Sequence, residues 1–458
     1  MKHYDLIIVG WGKGGKTIAA KLSKLKPESK IAIIERDPKM FGGTCINVGC
    51  LPSKSFVHNS KIWKETEKLG RNWTFKESQE AFKHAIKHKE NFVAFLNSKN
   101  YHNLADLENV IPYVGVASFV NSNTIKVKSE DKEEEISADK IIINTGSKSR
   151  EYDVEGAKES KFIHDSTGIL NLQELPKKLL IIGAGFIGLE FASYFNNFGT
   201  EVTVAQFNEA FLASEDIEDA NAIKEQLIKS GIKLLFNTSP SKFVDKENSV
   251  SVSLNSNGQT LIEEFDAVLT SVGRIPNLAD LELEKAGIEV ERGAIKVNDL
   301  LETTTSNIWA IGDVKGGAFF TYVSLDDSRI VLPQLLGKKP EYTLKDRNLL
   351  PTTTFLDPAY ARVGLNEKQA QEQGIEYTLK KLPVMAIPKA HVISEKTGFI
   401  KILVDKDDYV IGATLWHYEA AEMINILSLA IKFKIKASDL GKFIYTHPIF
   451  TEALNEVL

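Results

Sequence analysis

Four consecutive apolar residues, Leu6-Ile-Ile-Val9, run directly into Gly10-Trp-Gly-Lys-Gly-Gly15. A short apolar run closed by a glycine turn predicts a strand buried on both faces that feeds a helix. The same grammar returns at Leu180-Ile-Ile-Gly-Ala-Gly-Phe-Ile-Gly188. Each copy is followed by a helix-like stretch and a second apolar strand, residues 31–34 in the first and 202–204 in the second. The repeat predicts two βαβ units, each able to form a nucleotide-binding domain.

Between and after these units the pattern changes. Phe82, Ile86, Phe92 and Phe95 recur at helical spacing in the Lys-rich segment 61–105, predicting helices inserted in the first domain. Residues 110–145 alternate apolar and polar positions, with turns at Asn121-Ser-Asn and at the charged run 130–135. They predict a small β meander ending in Ile141-Ile-Ile-Asn-Thr-Gly146, with the charged run as a hairpin tip. From about residue 350, short strands (360–363, Phe399–Val404, 410–414) mix with one helix-like run, 420–435, as in an α+β domain. The expected division is residues 1–147 with 275–340 as a first nucleotide-binding domain, 148–274 as a second, and 341–458 as the α+β domain.

Composition narrows the function classes. A chain of 458 residues suits two or three domains, and 43% hydrophobic content supports ordinary cores. The net charge of −5 argues against a nucleic-acid partner, whose footprint would be basic. No apolar stretch reaches the roughly 18 residues a membrane span needs, and no signal peptide is read at Met1-Lys-His-Tyr. A cytoplasmic protein is expected. With only two cysteines in a reducing compartment, a disulfide is a transient, catalytic device rather than a structural one.

Three motifs carry chemistry. Gly10-x-Gly12-x-x-Gly15, with Glu35 twenty residues past Gly15, has the spacing of a Rossmann-like dinucleotide site. The glycines bring backbone close to a pyrophosphate and the acid takes ribose hydroxyls. Gly183-x-Gly185-x-x-Gly188 repeats it, but the strand-end position holds Gln206. Glutamine bonds a ribose hydroxyl without repelling a 2′-phosphate, so NADH and NADPH both stay open. In Gly42-Gly-Thr-Cys45-Ile-Asn-Val-Gly-Cys50-Leu-Pro-Ser-Lys54, four residues separate two cysteines at the start of a helix, whose N-terminus lowers thiol pKa. Zinc would need more Cys or His nearby, so no metal is expected. His84 and His88, among Lys83, Lys87 and Lys89, read as a solvated helix face.

The run 42–54 resembles the active-site signature of the flavin disulfide reductases, which include dihydrolipoamide dehydrogenase, glutathione reductase and mercuric reductase. The resemblance extends along the whole chain. It implies an α/β fold with FAD and NAD(P) domains and a C-terminal dimerisation domain. FAD would lie on Gly10, Gly12, Gly15, Glu35, Gly43, Thr44, Lys54, Thr145, Gly146, Gly312 and Asp313, the last two from Thr305-Ser-Asn-Ile-Trp-Ala-Ile-Gly-Asp313. NADH or NADPH would lie on Gly183, Gly185, Phe186, Gly188, Gln206 and Gly273, with Phe186 as the aromatic gate over the nicotinamide. Cys50 would be the thiol against the flavin and Cys45 the interchange thiol. Lys54 would sit near flavin N5, paired with Glu190. His447, oriented by Glu452, would face the cysteines from the partner subunit of a homodimer.

Several stretches are similar to a bacterial branch, the reactive-chlorine resistance flavoproteins and hypothiocyanous acid reductases. They are residues 10–17, 100–106, 320–331, 422–426 and 444–448. That likeness implies reduction of a small electrophilic oxidant, hypothiocyanous acid or a related reactive halogen species, with Cu(II) as an acceptor in some members. The C-terminal residues Thr451–Leu458 lack the cysteines used there by mercuric and large thioredoxin reductases. The alternatives are a dihydrolipoamide dehydrogenase, from which residues 319–331 depart, and a non-catalytic redox sensor, against which the complete set of site residues argues.

Overall fold

The two apolar repeats become central strands of two parallel sheets in the computed structural model, which describes residues 1–458. In the first, parallel strands lie in the order Val110–Val114, Ile31–Glu35, Lys2–Val9 and Glu133–Ile143. Helices Lys13–Leu25 and Thr321–Leu335 pack on one face, and residues 117–127 and 281–288 on the other, so the strands are buried on both sides and carry unbroken apolar runs. Glu133–Ile143 is long enough to divide its pairing. Its first half joins an antiparallel extension, Thr124–Lys128 and Val116–Asn121, and its last residues pair with Ile308–Ala310. The second sheet has the order Lys233–Leu235, Glu201–Ala205, Lys178–Ile182, Ala267–Thr270, Ile163–His164, all parallel. The antiparallel strands Thr238–Asp245, Val250–Ser256 and Gln259–Phe265 pack against it. The C-terminal residues form a five-stranded antiparallel sheet with the helix Ala420–Lys432 against it. This is the expected α/β fold with two Rossmann-like halves and an α+β unit.

Some local expectations change. Val110–Val114 is an edge strand of the parallel sheet rather than part of the meander. In the run 130–135 the turn lies before Glu133, and Glu133, Glu134 and Glu135 belong to the strand. The inserted helices are Cys50–Glu65 and the 31-residue Phe75–Ala105. Phe82 and Ile86 are buried on the latter, but Phe95 is 63% exposed. The middle of that helix packs on the 38–47 loop through Asn97, whose amide donates to the Lys39 carbonyl at 2.9 Å and the Asn47 side chain at 3.0 Å. A polar contact there needs no apolar stripe. Lys89 is buried, donating to the Leu170 carbonyl at 2.9 Å, while His84 and His88 are exposed as expected.

One buried ionic cluster ties the second sheet's helix to the C-terminal sheet. Lys401, fully buried on strand Phe399–Val404, donates to Asp216 at 2.9 Å and Asp219 at 3.0 Å and pairs with Glu367 at 2.7 Å. Asp216 immediately precedes the helix Ile217–Lys229, and Asp219 lies in its first turn. Burial pushes the Asp219 carboxyl up to about 6 against the pull of Lys401.

Candidate active site

The first glycine loop is built against Asn144. A Cβ at Gly12 would stand 2.7 Å from the Asn144 Oδ1, and Gly10 (φ 102°) touches the Asn144 carbonyl. That amide accepts from the Gly15 N–H at 2.9 Å and donates to the Ile311 carbonyl at 2.9 Å. It thereby locks the loop to the strand that leads into Gly312 and Asp313. Glu35 accepts from the Trp11 N–H at 3.1 Å, and burial raises its carboxyl. Asp313 accepts from the Ser147 hydroxyl at 2.6 Å and is likewise raised by burial. Arg274 donates to the same hydroxyl at 2.9 Å, a bridge that sequence reasoning missed. Thr145 spends its hydroxyl on the Asn277 carbonyl at 2.8 Å, while Gly146 faces open space. The packed back of the loop, its open front and the two acids that burial raises fit a bound FAD, which the glycine loop, Glu35 and Asp313 would hold.

The second loop repeats the geometry. A Cβ at Gly188 would lie 2.1 Å from the Gly183 carbonyl, so no side chain fits where helix and strand touch. Gln206 accepts from the Ala184 N–H at 2.9 Å, just as Glu35 does from Trp11. Its amide nitrogen donates to Asn208 at 2.8 Å. Gln206 therefore keeps the structural role of the acid without its charge. Phe186, the first residue of the helix Phe186–Asn197, is exposed, and Gly185 and Gly273 border open space, which suits a nicotinamide dinucleotide.

The cysteines sit on two successive helix starts. Gly43 caps Thr44–Asn47, which carries Cys45, and Gly49 caps Cys50–Glu65. A Cβ at Gly43 (φ 79°) would come within 2.9 Å of Gly12, so the cysteine segment lies directly on the first glycine loop. Both thiols are reduced, and each shifts the titration of the other. The hydrogen bond from Cys45 lowers Cys50 to about 6, helped by the Thr321 hydroxyl and the Lys54 charge; Cys45 is pushed up by the same bond and by burial. The thiol partner and the Thr321 hydroxyl thus join the helix N-terminus in lowering Cys50. Thr321 Oγ1, at the start of the helix Thr321–Leu335, is 3.5 Å from the Cys50 sulfur. Its approach spans 271 residues of chain, beyond the reach of motif spacing.

Lys54 and Glu190 form the expected pair at 2.5 Å. Glu190 also accepts from the Phe355 N–H at 2.9 Å, and the Phe355 ring lies 4.7 Å beneath the Lys54 ammonium. His447 Nδ1 is 2.7 Å from Glu452, with the imidazole largely exposed; its bond is to Glu452 and not to either cysteine of its own chain. Leu429, Phe433, Phe443 and Ile444 also expose apolar side chains on the C-terminal domain. No helix is long and apolar enough to cross a membrane.

Residues 4–330 match the family profile described as pyridine nucleotide-disulphide oxidoreductase, and residues 350–458 match the dimerisation domain of that family. The chain belongs to the pyridine nucleotide-disulphide oxidoreductases, NAD(P)H-dependent flavoproteins whose dimerisation domain points to a homodimer. It is 40% identical to the probable pyridine nucleotide-disulfide oxidoreductase RclA of Escherichia coli (strain K12), across 100% of this chain and 99% of that protein. A dihydrolipoyl dehydrogenase of Mycobacterium tuberculosis is 32% identical over 100% of this chain and 97% of its own length. The solved Cu(II) complex of the HOCl-induced flavoprotein disulfide reductase RclA from E. coli superposes with a TM-score of 0.92 at 39% identity, covering 100% of this chain and 99% of that one.

Proposed function

We propose that this chain uses NADH or NADPH to reduce hypothiocyanous acid, or a related reactive halogen species, directly at Cys45. The observation that carries the reading is a pair of free thiols on successive helix starts, with Cys50 lowered to about 6, in a sequence with no third cysteine to relay electrons. A bound FAD would supply the two-electron relay between the nicotinamide and the cysteine pair. Cys45 attacks the sulfur of hypothiocyanous acid, forming a sulfenyl thiocyanate as the S–O bond breaks. The thiol proton passes to His447 and returns to the departing hydroxide as water. The Cys50 thiolate then attacks the Cys45 sulfur, closing the disulfide and releasing thiocyanate. Each cycle consumes one NAD(P)H and one oxidant. The HOCl induction and Cu(II) complex of the 39% identical relative support an oxidant of this class, with Cu(II) as a second acceptor. The thiol chemistry and the nicotinamide supply suit the cytoplasm.

In this reading His447, held by Glu452, serves the cysteine pair of the partner subunit. The exposed imidazole and the exposed apolar side chains of the same domain support that role. The second step needs the Cys50 thiolate. Because its pKa is lowered, the thiolate is full at neutral pH and is lost as pH falls through about 6. Oxidant turnover should therefore decline about tenfold per unit below that point. The ultraviolet thiolate absorbance of the reduced protein, with Cys50→Ser as blank, checks it; a midpoint near the ordinary thiol value would contradict it.

The reading also expects little discrimination between the two nicotinamide nucleotides, since Gln206 carries no charge. Gln206→Glu should place a carboxylate on the ribose side and weaken NADPH relative to NADH by about tenfold. Steady-state kcat/KM for each nucleotide measures this. An unchanged ratio would remove Gln206 from the specificity determinants.

A further inference from the structure

Two stretches far apart in sequence, residues 10–17 and 100–106, meet behind the segment that carries Cys45. The Trp11 indole donates to the Asn100 carbonyl at 3.3 Å. Its ring packs on Phe41 at 4.8 Å and stacks on Tyr101 at 6.1 Å, and Phe41 and Tyr101 are 4.8 Å apart. Lys16, half-buried on the helix Lys13–Leu25, donates to the Asn100 side-chain carbonyl and reaches the Gly42 carbonyl at 3.5 Å. Gly42 (φ 98°) is pressed against Asn100, where a Cβ would lie 3.1 Å from the amide carbon. The lysine is therefore tethered to the loop three residues before Cys45.

We propose that Lys16 is the positioning cation of the interchange thiol: held by Asn100 and Gly42, it fixes the loop bearing Cys45 and stabilises the Cys45 thiolate during attack on oxidant. The inference rests on the reading of Cys45 as the substrate-facing thiol. Cys50 and burial push the Cys45 thiol up, while the Thr321 hydroxyl and the Lys16 charge pull it down. Lys16 is itself lowered to about 8 by burial and by Lys13, and Cys45 pulls it back up, so it carries its charge at neutral pH. A charge held in a partly dry site acts more strongly on a neighbouring thiolate than a solvated surface lysine does.

The test reduces the FAD-bound protein with NADPH and follows iodoacetamide labelling of each cysteine by mass spectrometry across pH. Lys16→Gln should move the Cys45 profile up by about one pH unit. That change lowers the thiolate fraction about tenfold, of which higher nucleophilicity returns about threefold, so labelling at neutral pH slows about threefold. Lys16→Arg should restore the profile, and Cys50 should not move in either variant. Superimposable Cys45 profiles would overturn the proposal, as would equal shifts in Lys16→Gln and Lys16→Arg, which would mean packing alone. Should Lys16→Gln lose FAD, Asn100→Leu, which frees the tether, carries the same test with an expected slowing of about twofold; no slowing overturns it. Preferential labelling of Cys50 in the unmodified protein would instead overturn the division of labour between the thiols, and this inference with it.

Discussion

Cys45→Ala should abolish oxidant-dependent NAD(P)H consumption, by at least about a thousandfold. In the proposed reading the oxidant is attacked by Cys45, and Cys50, with Thr321 and Lys54 beside it, resolves the adduct. Reduction of an artificial dye by NAD(P)H needs no thiol and should survive, which separates lost chemistry from lost folding or lost FAD. Cys50→Ala should behave differently, consuming about one oxidant per subunit and then stopping because nothing displaces thiocyanate. A Cys45→Ala protein that still turns over hypothiocyanous acid at a tenth of the normal rate or more would show reduction elsewhere than at the pair.

Lys401→Ala should be the most destabilising single change away from the active site, at roughly 3–5 kcal/mol. It leaves Asp216, Asp219 and Glu367 facing one another without their cation, with Asp219 fully buried. The pH dependence has a definite sign. Asp219 is raised from its ordinary 3.8 to about 6, so its ionisation costs stability as pH rises through that window. Without the ammonium that cost grows, so the defect should be greatest at neutral pH and ease below about pH 5. Urea melts of the FAD-bound protein at both conditions measure it. A defect under about 1 kcal/mol, or one independent of pH, would mean that the cluster contributes little to the junction.

Much of the site was legible because its spacing is local. The glycine loops, Glu35 and Gln206 are fixed by a strand, a turn and a helix in immediate succession, and the cysteines lie on one short segment with Lys54. The Glu190–Lys54 pair was readable only through resemblance, since 136 residues separate its members. Thr321, Phe355, the Ser147–Arg274 bridge and the Lys401 cluster were not legible, because docking of distant elements creates them. The misread positions have the same origin. Phe95 is exposed on a stretch of its helix whose inward contacts are the polar ones of Asn97, and Lys89 is buried because the Leu170 carbonyl comes within reach. Val110–Val114 alternates like a meander strand but lies at the edge of the parallel sheet. Lys16 lay in a stretch whose motif pointed to a phosphate, while its structural partners, Asn100 and Gly42, direct it toward the cysteine loop.

A dihydrolipoamide dehydrogenase shares the glycine motifs and the cysteine segment but takes electrons from a dithiol, so the proposed function differs from it in what Cys45 meets. The most direct test is a side-by-side steady-state assay of the purified holoenzyme. It compares NAD(P)H oxidation by hypothiocyanous acid with NAD+ reduction by dihydrolipoamide. The account predicts faster consumption of NAD(P)H by hypothiocyanous acid, with one nucleotide oxidised per oxidant and no added thiol. Faster NAD+ reduction by dihydrolipoamide would contradict it.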